Sequence, residues 1–241
     1  MKKLALILAS AALLLAGCSG SDQDVLTVFA AASLKNTFTE LGKQFEADHP
    51  GTTVTFNFAG SSDLVAQLQQ GAPADVFASA DEANMQKAGD LVKSPTNFAT
   101  NSMMVAVPPG NPASIQKFAD LADAQVVVCA PEVPCGAATE KIEQNSGVTL
   151  KPVSEEASVT DVLNKVTTGE ADAGVVYVTD VQAAGDKVQS IKIPTDVNAV
   201  NTYPIAVVAG SEQTTLAQDF ANLVTGPEGQ KVMSDAGFGA P

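Results

Sequence analysis

Arginine is absent from this 241-residue chain: the thirteen basic residues are all lysine, set against 27 aspartates and glutamates for a formal net charge of −14. A nucleic-acid binder needs a basic face to neutralise phosphates, and here the field of the whole molecule repels a polyanion, so nucleic acid is excluded as a partner. The missing guanidinium also removes the bidentate fork with which receptors for amino acids and carboxylates commonly hold their ligands. Histidine is reduced to His49, and cysteine to Cys18, Cys129 and Cys135. That set excludes a His-rich zinc site and most His-based catalytic constellations. A serine hydrolase would need a general base, and His49 stands beside Pro50-Gly51 at the wrong end of a predicted helix for that task. The reading is therefore of a protein that is not an enzyme and carries no cofactor. Apolar residues are plentiful at 45%, with 17% charged, enough to give one large domain or two small ones real cores.

The N-terminus reads as an address. Met1-Lys2-Lys3 is a basic head, Leu4 to Leu15 an uncharged apolar run, and Leu15-Ala16-Gly17-Cys18 closes it with small residues. The run is shorter than the roughly 20 residues that span a bilayer, and its LAGC ending resembles a bacterial lipobox. Residues 1–17 are then a lipoprotein signal peptide, Cys18 the lipidated anchor to the membrane, and 18–24 a flexible polar tether. The folded part is expected outside the cytoplasm.

Beyond the tether, short apolar runs alternate with helical periodicity. Leu26 to Ala30 reads as a buried strand, followed by Leu34, Phe38, Leu41 and Phe45 on one helical face, with Ser33 at the expected N-cap. Val54, Phe56 and Phe58 alternate as a strand, Gly60-Ser61-Ser62 turns, and Leu64, Val65 and Leu68 start a helix. Further strands are read at Val76–Ala78, Met103–Val107, Val126–Val128, Ala173–Tyr177 and Tyr203–Val208, with helices over 137–144, 159–168, 215–224 and 229–236. This alternation predicts α/β architecture with mainly parallel sheets covered by helices. Turn residues at Pro108-Pro109-Gly110-Asn111-Pro112 and an aperiodic stretch from Ile193 to Pro204 divide the chain. One lobe is expected over 25–106 plus 204–241, the other over 107–203.

Four strand-to-helix junctions carry small or hydroxyl residues: Ser33, Ser61-Ser62, Cys135-Gly136 and Ser158-Val159-Thr160. Each offers unpaired backbone N–H groups backed by a helix dipole, and such turns gather at the carboxyl ends of parallel strands, where ligands sit. Facing one cleft, they make an anion site without a formal positive charge. Taken singly, each is an ordinary helix cap. Asp75 and Asp81 read as caps or as acids that stabilise a lobe, and Glu155-Glu156 as a solvated pair. Cys129 and Cys135, six positions apart outside the cytoplasm, are either a disulfide that pins the loop between them or two separate thiols.

Three strings, Val28-Phe29-Ala30-Ala31-Ala32-Ser33-Leu34, Phe58-Ala59-Gly60-Ser61-Ser62-Asp63-Leu64 and Gly71 to Asp81, together resemble the periplasmic molybdate-binding protein family, substrate receptors of ABC importers. Val133-Pro134-Cys135-Gly136, Ser158-Val159, Gly174-Val175-Val176-Tyr177 and Tyr203 to Val208 follow in the same order, so the resemblance covers nearly the whole chain beyond the tether. It implies a two-lobed type II binding protein, a Venus flytrap, and a monomer that hands its ligand to a membrane permease. It also implies an oxyanion site at Ser33 and Ser61 from one lobe and at the Cys135 N–H, Val159 N–H and Tyr177 hydroxyl from the other. Ser61 is preferred over its neighbour Ser62. The family commonly has alanine where Cys135 stands, which leaves a backbone donor in place.

Composition argues in the same direction. A fully ionised tetrahedral oxyanion such as molybdate, tungstate or sulfate only accepts hydrogen bonds, so neutral donors suit it and a facing carboxylate would not. The metal enters only as the oxyanion, without a direct protein ligand. Sulfate presents the same surface and is the alternative ligand; cavity size is what separates it from molybdate.

Overall fold

The computed structural model describes residues 24–241; the signal peptide, Cys18 and all of the tether except Asp24 lie outside the described residues. Among the described residues, no helix is long and apolar enough to cross a membrane. In chain order the elements are β1 (Asp24–Ala31), α1 (Lys35–Asp48), β2 (Thr52–Ala59), α2 (Ser61–Gln69), β3 (Val76–Ala78), α3 (Glu82–Ala88) and β4 (Val92–Val107). Then come β5 (Val126–Cys129), α4 (Pro134–Ser146), β6 (Ser154–Glu156), α5 (Val159–Thr167), β7 (Ala173–Tyr177), α6 (Val178–Ala184) and β8 (Gln189–Lys192). The chain closes with β9 (Val200–Val208), α7 (Thr214–Thr225) and α8 (Pro227–Asp235).

The strands that feed helices pair in parallel, β1 with β2 and β3, and β5 with β6 and β7. Antiparallel pairs come from the strands that carry the chain between the two halves. β9 joins β3 to β4, and the last residues of β4 pair with β7 and β8. The strand read at Met103–Val107 is thus the buried end of a 16-residue strand. Its first six residues are mostly exposed and include Lys93, Ser94 and Pro95, so they carry no apolar alternation to read.

Side-chain alternation along β1 divides the first half into two layers, as a pleated strand requires. Leu26, Val28 and Ala30 pack against Phe38, Leu41 and Phe45 of α1, Phe220 of α7 and Met233 of α8. Phe29 points to the other face, with Leu64 and Leu68 of α2 and Met85 of α3. Phe220 anchors the first layer, edge-on to Phe38 and Phe45 at 5.8 and 5.5 Å between ring centroids, a favoured aromatic geometry. A separate core runs from Met103 to Ala199. The two halves therefore exchange inside β4, between Ala99 and Met103, and at β9, between Ala199 and Tyr203. They are the two lobes of an α/β fold.

Glu155-Glu156 departs from its solvated reading. Glu155 is exposed, but Glu156 is half-buried and pairs with Lys165 at 2.6 Å. Burial pushes its carboxyl up, yet hydrogen bonds from Lys165 and Ser154 and the lysine charge outweigh that and hold it below the ordinary glutamate value. β6 places it against α5, a neighbourhood that a three-residue strand without apolar residues does not announce.

Cys129 ends β5, Cys135 lies in the first turn of α4, and their sulfurs are bonded. For so short a loop the chain-entropy effect on the unfolded state is about 2 kcal/mol. Replacing both residues by alanine should lower the unfolding free energy by about that amount, read by urea denaturation; an unchanged midpoint would contradict it.

Candidate functional site

Three helices start at one place. α2, α4 and α5 begin at Ser61, Pro134 and Val159, each directly after the turn that follows a strand. A helix's first N–H groups lack intrahelical partners, and here the hydrogen bonds identify which remain. In α4, Pro134 has no N–H and the Gly136 and Ala137 N–H groups donate to Val133 O, leaving Cys135 as the free donor of the turn. In α5, Asp161 and Val162 N–H groups donate to Ser158 O, leaving Val159 and Thr160. In α2, Asp63 and Leu64 donate to Gly60 O, leaving Ser61 and Ser62.

Of these, Ser61, Cys135 and Val159 line one small cavity of about 10 Å³, together with Ser33, Tyr177, Ala31, Ala32, Ala59, Gly60, Ala80, Val133 and Pro134. All five residues singled out in the sequence are among them, two from the first lobe and three from the second. No charged residue lines the cavity. At about 10 Å³ it has room for roughly one water-sized centre, so whatever sits there touches both lobes. A larger cavity of about 590 Å³ adjoins it through Ala32 and Ser33, between α1, α5, α6 and α8. That space differs in character: it mixes the charged Lys35 and Lys187 with Asp180 and Asp235.

Two of the serines do not cap helices as expected. Ser33 lies in a 3-10 turn ahead of α1, whose N-cap is Leu34, and its hydroxyl instead meets the Tyr203 hydroxyl at 3.0 Å. Gly60 occupies the N-cap of α2, while the buried Ser61 Oγ accepts the Ala80 N–H at 3.0 Å. With that lone pair engaged, the Ser61 hydrogen is free to donate. Ser158 does cap α5, accepting from the Asp161 N–H. Ser62 lies outside the cavity lining, its Oγ buried without a hydrogen-bond partner.

At Gly60 the two lobes approach closely. A Cβ there would stand 2.2 Å from the Ala157 carbonyl oxygen of the other lobe, although φ of −60° permits any residue. Gly136 is confined within its own lobe, since a Cβ would stand 1.9 Å from Ala130 O in the disulfide loop.

Tyr177 ends β7 fully buried, with its ring edge-on to Tyr203 at 6.0 Å. Burial, then the neighbouring Tyr203, Asp81 and Asp180, push its hydroxyl well above the ordinary tyrosine value, so it remains a protonated donor. Behind it are three residues that pattern reasoning did not single out as site residues. Asn201 Nδ2 donates to the Tyr177 hydroxyl at 2.9 Å. Asn101 Nδ2 reaches Thr179 Oγ1 at 2.8 Å and the Tyr203 hydroxyl at 3.5 Å. Tyr203 was visible only as part of a strand. No spacing rule marks such residues, because their role depends on β4 lying beside β9. The acids given structural readings keep them: Asp75 accepts from Thr27 N–H and Ser211 Oγ, and Asp81 caps α3. His49 ends α1, stacked on Phe45 and away from the cavity.

Asp180 lies in the first turn of α6 and accepts the Tyr177 N–H at 2.9 Å. Burial pushes its carboxyl up to about 7 from an ordinary 3.8, against the opposing effect of that N–H. A raised carboxylate pKa means the native state keeps a proton that the unfolded chain has released. This contribution to stability is complete below pH 3.8 and is lost as the pH rises through about 7. Between those limits the stability of the native protein relative to Asp180→Asn should fall with pH by up to roughly 1.4 kcal/mol per unit, measured by denaturation at several pH values. Parallel profiles would contradict the assignment.

Known proteins bear on this geometry. The profile of the bacterial extracellular solute-binding protein family matches residues 26–239. The molybdate-binding protein ModA of Mycobacterium tuberculosis is 52% identical over 221 residues, covering 90% of this chain and 85% of that protein. A Bacillus subtilis protein described as a putative ABC transporter substrate-binding lipoprotein is 32% identical, covering 99% of each chain. The periplasmic molybdate-binding protein of Azotobacter vinelandii has the same fold, with a TM-score of 0.80 at 22% identity, covering 90% of this chain and 99% of that one. With the family profile over nearly the whole described chain and a molybdate-binding relative at 52% identity, the chain belongs to the bacterial extracellular solute-binding protein family that includes the molybdate-binding proteins.

Proposed function

We propose that this protein is the extracytoplasmic receptor of an ABC importer and that it captures molybdate, or tungstate in its place, between its two lobes. The observation that carries this reading is an uncharged cavity ringed by hydroxyls and free first-turn N–H groups from both lobes. Ser33 and Ser61 donate from one lobe; the Cys135 N–H, the Val159 N–H and the Tyr177 hydroxyl donate from the other. A dianion that only accepts hydrogen bonds can satisfy all of them at once, and three helix N-termini supply positive potential where no lysine stands. A ligand such as hydrogen phosphate carries a proton of its own and finds no carboxylate in the lining to receive it.

Binding and closure are then one event. Donors from a single lobe cannot enclose the ion, so the ligand favours the closed arrangement by the difference in the contacts it makes there. The core built from the two ends of the chain, up to Ala99 and again from Tyr203, would move against the core that runs from Met103 to Ala199, the protein acting as a monomer that a membrane permease receives. Lipidation at Cys18 would hold it at the membrane, a reading supported by the relative described as a lipoprotein. No cofactor has a part in this cycle.

Titration calorimetry of the chain from Ser19 onward, with molybdate, tungstate, sulfate and phosphate in turn, tests the reading. One-to-one binding of molybdate and tungstate with sulfate much weaker is expected; equal sulfate binding would shift the assignment to sulfate, and no oxyanion binding would overturn it. Ser61→Ala removes one hydrogen bond to a charged ligand and should weaken molybdate by about tenfold or more. Gly60→Ala should weaken it too, by obstructing the close approach of Ala157; unchanged affinity in either variant would count against the site.

A further inference from the structure

Asn201 sits on β9 directly across from Asn101 of β4, where the chain passes between the two cores. Its Nδ2 lies 3.0 Å from the Ala80 carbonyl oxygen, 3.2 Å from the Pro134 carbonyl oxygen and 2.9 Å from the Tyr177 hydroxyl. Carbonyl oxygens only accept, so it is the amide NH2 and not the amide oxygen that faces this corner. An amide nitrogen has no lone pair to offer, so at 2.9 Å the Tyr177 oxygen is the acceptor, sharing the two amide hydrogens with the carbonyls of Ala80 and Pro134, and the Tyr177 hydrogen points away from Asn201, to the cavity or to the neighbouring Tyr203 hydroxyl. Ala80 belongs to the first lobe, where its N–H holds the Ser61 hydroxyl, while Pro134 and Tyr177 belong to the second. One half-buried side chain thus touches the backing of the donors on both sides of the cavity.

We propose that Asn201 is a positioning residue for the anion site: by donating to the Tyr177 oxygen it leaves the hydroxyl hydrogen for the ligand, and because the same amide bridges Ala80 and Pro134, that orientation is set only when the lobes are together. This rests on the oxyanion reading above and extends it to a residue that does not line the cavity. The contrast with Ser61 is instructive. There a backbone N–H from the same lobe occupies the hydroxyl lone pair, so Ser61 is oriented whether the lobes are open or closed. Tyr177 is oriented by a side chain on a crossing strand, so its readiness to donate depends on closure.

The test is a double-mutant cycle read by titration calorimetry with molybdate, using wild type, Asn201→Ala, Tyr177→Phe and the double variant, each also followed by thermal unfolding without ligand. If Asn201 acts through the Tyr177 hydroxyl, Asn201→Ala weakens molybdate by about tenfold when Tyr177 is present and by about threefold or less when phenylalanine replaces it, the non-additivity expected of coupled neighbours. The same fold loss in both backgrounds would overturn the proposal and leave Asn201 a structural tie between the strands. Asn201→Ser, which keeps a small polar group at the crossing, enters the same cycle if the alanine variant does not fold. Wild type that binds molybdate while the cycle is additive defeats this inference alone; wild type that binds no oxyanion defeats the reading beneath it as well.

Discussion

Everything in the proposed site follows from having to attract an anion inside an acidic molecule without an arginine. With a formal net charge of −14, the long-range field opposes a dianion, but that field is screened within about 8 Å at physiological ionic strength. Attraction has to come from groups in contact with the ligand, and the groups available are dipoles. A parallel α/β lobe gathers them by construction. Its strands end together, its helices start together, and the unpaired N–H groups of those starts face one edge. Two such edges opposed, with α2 on one side and α4 and α5 on the other, bring the free N–H groups of Ser61, Cys135 and Val159 to a single cavity.

The same constraint explains why the crossing strands matter. β4 and β9 lie side by side over most of their lengths, joining a core built from the two ends of the chain to one built from its middle. They also carry Tyr203, which meets the Ser33 hydroxyl, Asn201, which meets the Tyr177 hydroxyl, and Asn101, which reaches Tyr203 from behind; none of the three lines the cavity itself. A link placed directly behind the binding groups can couple their orientation to the relative position of the lobes. The disulfide acts on a smaller scale, fastening the turn that presents the Cys135 N–H to the end of its own strand.

Much of this was legible in the sequence. Buried runs gave β1, β3, β5 and β7, the 3.6-residue spacing of Phe38, Leu41 and Phe45 gave α1, and the small-residue junctions marked the neighbourhoods of Ser33, Ser61, Cys135 and Val159, while Tyr177 and the choice of these five as one set came from the resemblance to the molybdate-binding family. The reach of β4 was hidden because its exposed first half has no apolar pattern, and the short α3 and α6 offer too few turns for periodicity to register. Ser33 and Ser61 misled locally: serine before a helix reads as a cap, but here Leu34 and Gly60 hold the cap positions and the hydroxyls serve partners distant in sequence. Asn201 and Tyr203 could not be found by spacing at all, since what matters about them is a neighbour some 24 or 170 positions away.

The central claim is that neutral donors from both lobes converge on one oxyanion. A crystal structure of the protein grown with molybdate, with the metal located by its anomalous scattering, tests it most directly. The account predicts a single strong peak in the cavity, with oxygens in hydrogen-bond reach of the Ser33, Ser61 and Tyr177 hydroxyls and the Cys135 and Val159 N–H groups. A peak held by lysine side chains, or one contacting a single lobe, would contradict it.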